Sequence, residues 1–111
     1  VELLSPIKRI IIPFKDYEYF SSNYIFPIVL NNSTYEIRDK VRAVLAERGI
    51  QTSVHYPAVH RFSVYDEYTM PLKNTEYISD NLITLPMYSK LTEADIKYIA
   101  DTLKRFYNDI N

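Results

Sequence analysis

Glycine occurs once in this chain of 111 residues, at Gly49, and that scarcity limits what the chain can fold into and bind. Loops that cradle phosphate groups need several glycines, because their backbone N–H groups must approach the anion closely. The chain therefore contains neither a P-loop nor the glycine-rich fingerprint of a dinucleotide-binding fold. Gly49 also directly follows a stretch with helical periodicity, so it predicts where a helix ends.

The stretch before Gly49 predicts an amphipathic helix over residues 34–48. Four apolar side chains recur there at helical spacing, namely Ile37, Val41, Val44 and Leu45. Ser33 and Glu36 have the spacing of a capping box at the start of this helix. Gly49 supplies a left-handed residue at its end, and Ile50 can then fold back onto Leu45 in a Schellman closure.

Short apolar segments predict the strands of a sheet. They lie at residues 7–14, 23–30, 50–56 and 82–87. Pro27 has no N–H group, so we expect it at a sheet edge or at a position that does not donate. In the third segment, alternate residues are expected to point inward: Ile50, Thr52, Val54 and Tyr56. His55 then points outward from a half-buried strand that pairs antiparallel with one of the first two.

The second half of the chain predicts further helices. A single turn is expected at residues 63–67, a short helix at 74–81, and a long final helix that Thr92 and Asp95 can cap. Leu91 can form a hydrophobic staple with the first residue of its apolar stripe, which consists of Ile96, Ile99, Ala100, Leu103 and Phe106. No repeat or linker divides the chain. We therefore predict a single α+β domain over residues 1–111, a small, mostly antiparallel sheet with α-helices packed on one face.

Charge and composition exclude several classes of protein. The formal net charge is −1 and no run of like charge exceeds two residues, so neither nucleic acid nor a membrane surface is expected as a partner. The absence of cysteine excludes disulfides and thiolate chemistry. No apolar stretch approaches the ~18 residues of a membrane span, and the first residues lack a secretory signal, so a cytoplasmic location is expected.

Both histidines of the chain lie in one segment, "HYPAVH" at residues 55–60. A zinc site needs three or four ligands, and only Asp66 and Glu67 follow nearby, so we predict no metal site. His55 would lie at the end of a predicted strand, beside a turn fixed by Pro57. A rigid strand that leads into a loop is a common place for binding groups, and a hydrogen-bonded surface histidine is the simpler alternative.

Several motifs follow one another in a recognisable order. The helix "RDKVRAVLAERGI" leads into "QTSVHYPAVH", and "LITLPMYSKLT" precedes the final helix "EADIKYIADTLKRF". This order resembles the C-terminal part of the DegT/DnrJ/EryC1/StrS family of sugar aminotransferases, and the resemblance covers essentially the whole chain. The matching positions are Arg38 or Arg42, Leu45, Gly49, Ile50, His55, Tyr56, Pro57, His60, Leu85, Pro86 and Met87.

The resemblance implies a fold-type-I enzyme that uses pyridoxal 5′-phosphate. Such an enzyme carries an amino group, usually from glutamate, to a keto group on a nucleotide-linked sugar. Its cofactor-binding lysine and phosphate contacts belong to a large N-terminal domain, so this chain is expected to be the C-terminal domain, inactive alone and with no catalytic or cofactor-binding residue. In the whole enzyme, expected to be a homodimer, it would close the active-site cleft. The resemblance implies that His55, Tyr56 and His60 contact the nucleotide-sugar substrate.

The alternative is a free-standing α+β binding or regulatory module. Eleven tyrosines against five phenylalanines and no tryptophan is an unusual balance for a small domain. Such tyrosines are expected to complete a core or an interface rather than to perform chemistry. A tyrosine-rich face would then meet another chain or domain.

Overall fold

The computed structural model describes residues 1–109, which contain three strands and three α-helices. The strands are β1 (Ile10–Ile11), β2 (Phe26–Leu30) and β3 (Leu82–Leu85). The α-helices are α1 (Tyr35–Glu47), α2 (Lys73–Asn81) and α3 (Glu93–Asp109). Two 3₁₀ helices, Val59–Arg61 and Ser63–Tyr68, lie between α1 and α2. No helix in this described part is long and apolar enough to cross a membrane.

The three strands form one antiparallel sheet in the order β1-β2-β3, which confirms the predicted α+β class. The first strand is much shorter than the predicted segment 7–14. The Ile10 N–H donates to the Ile7 carbonyl at 3.0 Å, so the residues before β1 form a turn. At the other end, Pro13 has no N–H with which to continue the ladder.

Pro27 lies in the central strand without breaking a ladder hydrogen bond. It stands opposite Thr84, whose backbone N–H and C=O both bond to Ser53, on the side away from β2. The Pro27–Thr84 pair is therefore a non-hydrogen-bonded pair of the antiparallel ladder. The proline nitrogen faces the β1 side instead, where β1 pairs only with Val29 and Leu30. This confirms the expectation of a position that does not donate.

The hydrophobic core lies between one face of the sheet and the helices α1 and α3. The sheet contributes Ile28, Leu30, Ile83 and Leu85, and the two helices contribute Val41, Leu45, Ile99, Ala100, Leu103 and Tyr107. Each large apolar side chain buried here contributes roughly 1.5–3 kcal/mol before conformational entropy is subtracted. Side chains alternate between the two faces along each strand, and those buried on the opposite face of the sheet are Val29, Leu82 and Thr84.

Helix α1 begins one residue later and ends one residue earlier than the predicted range 34–48, and it closes at Gly49 as predicted. Thr34, not Ser33, caps it, because the Thr34 hydroxyl accepts from the Ile37 N–H at 3.4 Å and Thr34 has an extended backbone. At the other end, the N–H of Gly49 donates to the Ala46 carbonyl and that of Ile50 to the Leu45 carbonyl, both at 2.9 Å. These two bonds are the Schellman closure.

Substituting Gly49 is expected to test this closure through the backbone alone. Gly49 has φ +76°, and an added Cβ would meet no atom within 4 Å. Gly49→Ala should therefore lower the free energy of unfolding by about 1–2 kcal/mol, the cost of a left-handed L-residue. Gly49→Asn should cost less, since asparagine tolerates this region. Urea denaturation measures both variants, and equal stability of Gly49→Ala and the parent chain would contradict the left-handed assignment.

Helix α3 has the predicted cap. The Thr92 N–H donates to Asp95 Oδ2 at 2.9 Å, and the Asp95 N–H donates to the Thr92 hydroxyl at 3.2 Å. Ile99, Ala100 and Leu103 of the stripe are buried, whereas Ile96 remains 47% exposed. The prediction for Ile96 was wrong because this side chain borders an open apolar groove beside the first residues of the chain.

The tyrosines lie almost entirely on the surface. Ten of the eleven are exposed, and Tyr107 alone belongs to the core. The Tyr107 hydroxyl reaches the Asn31 carbonyl at 3.4 Å, so the one buried phenol has an acceptor. Of the two expected roles, a core or an interface, the core applies to Tyr107, and for the ten exposed tyrosines an interface stays a prediction.

Candidate functional site

The segment that carries His55 is attached to the edge of β3 rather than to the first strands. Ser53 and Thr84 exchange two backbone hydrogen bonds, of 3.1 and 2.8 Å, and form a single antiparallel bridge. The predicted strand 50–56 is therefore wrong in extent and in partner. Arg42 also holds this segment, because its guanidinium donates to the hydroxyl and to the carbonyl of Thr52, each at 3.1 Å. The backbone groups of Ser53 face β3, so those of its neighbour Thr52 face the other way, and the Arg42 contact anchors the segment from that side.

His55 is half-buried against the same strand. Its Nδ1 lies 3.0 Å from the Thr84 hydroxyl, and Thr84 is only 5% exposed. Two backbone bonds at Ser53 and one side-chain bond at His55 therefore fasten this segment to β3. The histidine has a fixed ring position on a rigid element, as a binding residue requires.

Tyr56 does not follow Val54 into the core, as the predicted alternation required. It is 66% exposed, and its ring packs edge-on against His55 with the ring centroids 4.9 Å apart. The His55–Tyr56 peptide bond is cis. His55 rather than Tyr56 is the partly buried member of the pair, which is the reverse of the prediction.

His55 lines an open pocket of about 510 Å³. Gln51 and Ser53 line one part of it, and the residues after β3, including Met87 and Tyr88, line another. Tyr24, from the segment before β2, also contributes. No lining residue in the described structure is an aspartate, glutamate, lysine or arginine. The pocket therefore offers hydrogen-bonding groups and aromatic rings rather than fixed charge.

His60 has a different position. It lies in the first 3₁₀ helix, and its Nε2 is 2.9 Å from Glu76 Oε1 on α2. Arg61 makes two hydrogen bonds to Asp80, at 2.6 and 3.3 Å, and so also attaches this turn to α2. His60 does not line the pocket of His55. The structure thus brings His55 and Tyr56 together and holds His60 apart, at a junction between two elements.

Glu76 makes the stability of the contact between the first 3₁₀ helix and α2 depend on pH. The hydrogen bond with His60 holds the pKa of Glu76 below its usual range, and the Leu72 N–H and the charge of Arg61 act in the same direction. A lowered folded-state pKa contributes stability above the usual value of about 4.3, and this stability is lost as the pH falls through the lowered pKa.

Glu76→Gln should therefore lose less stability on acidification than the parent chain. The glutamine cannot ionise, so the difference between the two unfolding free energies should be largest near neutral pH and shrink below about pH 4.3. Urea denaturation at several pH values measures this difference. A difference that stays constant across the acid range would contradict the role of Glu76.

No metal site is formed by the residues that the structure describes. No three histidine, cysteine, aspartate or glutamate side chains come together in this part of the chain. The two histidines are engaged by different partners, His55 by Thr84 and His60 by Glu76. Asp66 and Glu67, the acidic residues considered with them in the sequence, are both exposed.

Thr84 was not predicted as a residue of the site. A single threonine in the apolar segment "LITL" was the available signal, since a buried hydroxyl needs a hydrogen-bond partner. Tyr24 and Tyr88 were also missed as pocket residues. Tyr24 lies in the second predicted strand segment and Tyr88 directly after the fourth, and only the fold brings them to one place.

Comparison with known proteins relates this chain to a family. A family model described as the DegT/DnrJ/EryC1/StrS aminotransferase family matches residues 2–104. The chain is 30% identical over 105 residues to dTDP-4-dehydro-2,3,6-trideoxy-D-glucose 4-aminotransferase of Saccharopolyspora spinosa, covering 93% of this chain and 26% of that protein. It is 27% identical over 106 residues to UDP-4-amino-4,6-dideoxy-N-acetyl-beta-L-altrosamine transaminase of Helicobacter pylori, covering 85% of this chain and 28% of that protein.

A solved structure shows the same fold. The aminotransferase TlmJ from Streptoalloteichus hindustanus superposes with a TM-score of 0.86, covering 99% of this chain and 29% of that chain. The sequence identity is 20%, so this likeness concerns the fold alone. The chain thus spans between 26% and 29% of the length of these three proteins.

Proposed function

This chain belongs to the DegT/DnrJ/EryC1/StrS aminotransferase family, and from that premise we propose that it acts as the C-terminal domain of a larger aminotransferase. The proposed reaction moves an amino group, usually from glutamate, to a keto group on a nucleotide-linked sugar, with pyridoxal 5′-phosphate as the cofactor. One observation carries the proposal. The chain matches only 26% and 28% of two relatives whose names describe the transamination of dTDP- and UDP-linked sugars.

The residues of this chain do not fit the cofactor. Enzymes of this chemistry hold pyridoxal phosphate through a lysine. Six of the seven lysines are exposed, and the half-buried Lys104 lies 4.0 Å from Asp101. None of them lines the pocket of His55. We therefore assign cofactor binding to the rest of the enzyme, and we expect this chain alone to be inactive.

We assign this chain a substrate-binding role at one wall of the cleft. The neutral pocket suits a sugar or a nucleobase, which both present hydroxyl, carbonyl or ring surfaces. A diphosphate is usually bound by arginine, lysine or the N-terminus of a helix. No charged side chain lines this pocket in the described structure, so the diphosphate would contact another part of the enzyme. His55 is the main proposed contact to the sugar nucleotide.

Tyr56 and His60 are weaker parts of this proposal. Tyr56 packs edge-on against His55 and is exposed, but it does not itself line the pocket. His60 already uses Nε2 at Glu76, which leaves Nδ1 as its ring nitrogen for other partners. A substrate contact from either residue stays a prediction from the family resemblance.

Exposed aromatic side chains support a partner surface. The segment 14–24, called here the aromatic segment, contains Phe14, Tyr19 and Phe20 at 82%, 76% and 97% exposure. Such a concentration of exposed rings is unusual for a surface that faces water only. In our proposal the large domain or a second subunit of a homodimer covers it. The same observation favours the second candidate function, a free-standing interaction module.

Two proteins distinguish these functions, the full reading frame that contains this chain and the 111-residue chain alone. We expect the full protein to convert a dTDP- or UDP-linked 4-keto sugar into an amino sugar with glutamate, as detected by mass spectrometry. The chain alone should form no amino sugar even with added pyridoxal phosphate. Amination by the isolated chain would overturn the proposed division of roles. A reading frame that encodes only these residues would favour the interaction module.

A further inference from the structure

Thr84 is a polar residue in a strand that is otherwise apolar. All four residues of β3 are buried, and Thr84 is 5% exposed. Its backbone groups are both bonded to Ser53, so the position of its side chain is fixed by the bridge. Within residues 1–109, the partner of its hydroxyl is His55 Nδ1, at 3.0 Å. The Thr84 side chain therefore has one contact to satisfy it, and that contact is to the pocket histidine.

Burial decides the direction of this hydrogen bond. A threonine hydroxyl has one donor and two acceptor lone pairs, and a neutral imidazole has one donor nitrogen and one acceptor nitrogen. If Nδ1–H donated to Thr84, the hydroxyl proton would be buried without an acceptor. If Thr84 donates to Nδ1, the buried hydroxyl proton has its acceptor, and the one donor left without a protein partner is the ring N–H at Nε2. An unmade bond from a buried donor is the more costly arrangement, so the ring proton belongs on Nε2.

We propose that Thr84 is a positioning residue that holds His55 in the Nε2–H tautomer and presents this N–H to an oxygen of the bound sugar nucleotide. The assignment rests on the proposed function for the identity of the ligand. His55 lines the pocket, and Nε2 has no hydrogen-bond partner in the described part of the chain. Nε2–H is therefore the group left for a ligand, and it suits a hydroxyl or carbonyl oxygen of the sugar or the base.

Nitrogen NMR of the 15N-labelled 111-residue chain tests the tautomer directly. The chain has two histidines, so a His60→Gln variant assigns both rings. Spectra are recorded at a pH where the ring signals no longer move with pH. We expect His55 to show one nitrogen bearing a proton, Nε2, and one acceptor nitrogen, Nδ1. A ring with the proton on Nδ1, or an even mixture of tautomers, would overturn the proposal.

Two variants of Thr84 separate the hydroxyl from the shape of the side chain. Thr84→Val removes the donor with little change in volume, so the two nitrogen shifts of His55 should move toward each other as the tautomers mix. Thr84→Ser keeps the hydroxyl and should keep the parent spectrum. The His60 signals serve as an internal reference, since Glu76 holds that ring. Unchanged His55 shifts in Thr84→Val would overturn the assignment, and if this variant fails to fold, the parent and serine spectra decide.

The full enzyme gives a second readout. There, Thr84→Val should lower kcat/KM for the sugar nucleotide about tenfold, chiefly through a higher KM. The Thr84→Ser variant, which keeps the hydroxyl, should keep the kcat/KM of the parent enzyme. An inactive full protein whose His55 is still the Nε2–H tautomer would contradict the proposed function and support the role of Thr84. An active enzyme with the other tautomer would contradict the role of Thr84 and leave the aminotransferase assignment intact.

Discussion

Replacing Leu45 with alanine is expected to lower the free energy of unfolding by about 2–5 kcal/mol. Leu45 is 1% exposed and belongs to the cluster between the sheet and helices α1 and α3. The truncation removes apolar contacts and leaves a cavity, and the two losses add. Ile50, which the Schellman closure brings back onto this end of α1, is also buried, so little space is free for the site to collapse into.

Urea denaturation of the 111-residue chain measures this effect, and Leu3→Ala is the matched control. Leu3 is 40% exposed, so its truncation should change the unfolding free energy by no more than about 0.5 kcal/mol. A large loss in the first variant with an almost unchanged control would support the described core. Equal losses in both variants would contradict the burial of Leu45.

The second large effect concerns activity. In the full enzyme, His55→Ala is expected to lower kcat/KM for the sugar nucleotide by about 5- to 150-fold, which corresponds to about 1–3 kcal/mol for one hydrogen bond to substrate. Removal of the ring also frees Thr84, whose buried hydroxyl loses its partner. A substrate contact made equally in the ground state and in the transition state appears chiefly in KM.

Steady-state kinetics with the sugar nucleotide as the varied substrate measures this loss, and His60→Gln is the comparison. His60 is turned toward Glu76 and does not line the pocket, so its substitution should affect kcat/KM much less than that of His55. Thermal unfolding of both variants controls for loss of folded protein. A larger kinetic effect at His60 than at His55 would contradict the assignment of the pocket.

Local interactions explain what could be predicted about the fold. Helix α1 carries its cap, its apolar stripe and its glycine within a continuous stretch, and helix α3 carries Thr92 and Asp95 three residues apart. Both helices were therefore predictable to within a few residues. The cap of α1 was misassigned because Ser33 and Thr34 are adjacent hydroxyl residues, and only the backbone conformation shows which one precedes the helix.

Non-local contacts explain what could not be predicted. The segment 50–56 has the alternation of a strand, but it meets β3 at a single bridge, between Ser53 and Thr84, and Arg42 holds Thr52 through side-chain hydrogen bonds. In the candidate site, too, the contacts between residues distant in the sequence could not be predicted. His55 could be singled out from its place beside Pro57, whereas Thr84 joins it only because the fold brings residues 29 positions apart into contact.

Pro27 affects the tendency of the chain to aggregate through the edge of its sheet. The part of β2 around this residue extends beyond the two-residue β1, so its outer edge has no neighbouring strand among the residues described. An open edge of this kind is a template on which another molecule can add a strand. The proline removes the N–H that such an added strand would need, and it does so without weakening the ladder to β3. The central strand is thereby protected from intermolecular sheet growth at the place where the fold leaves it uncovered.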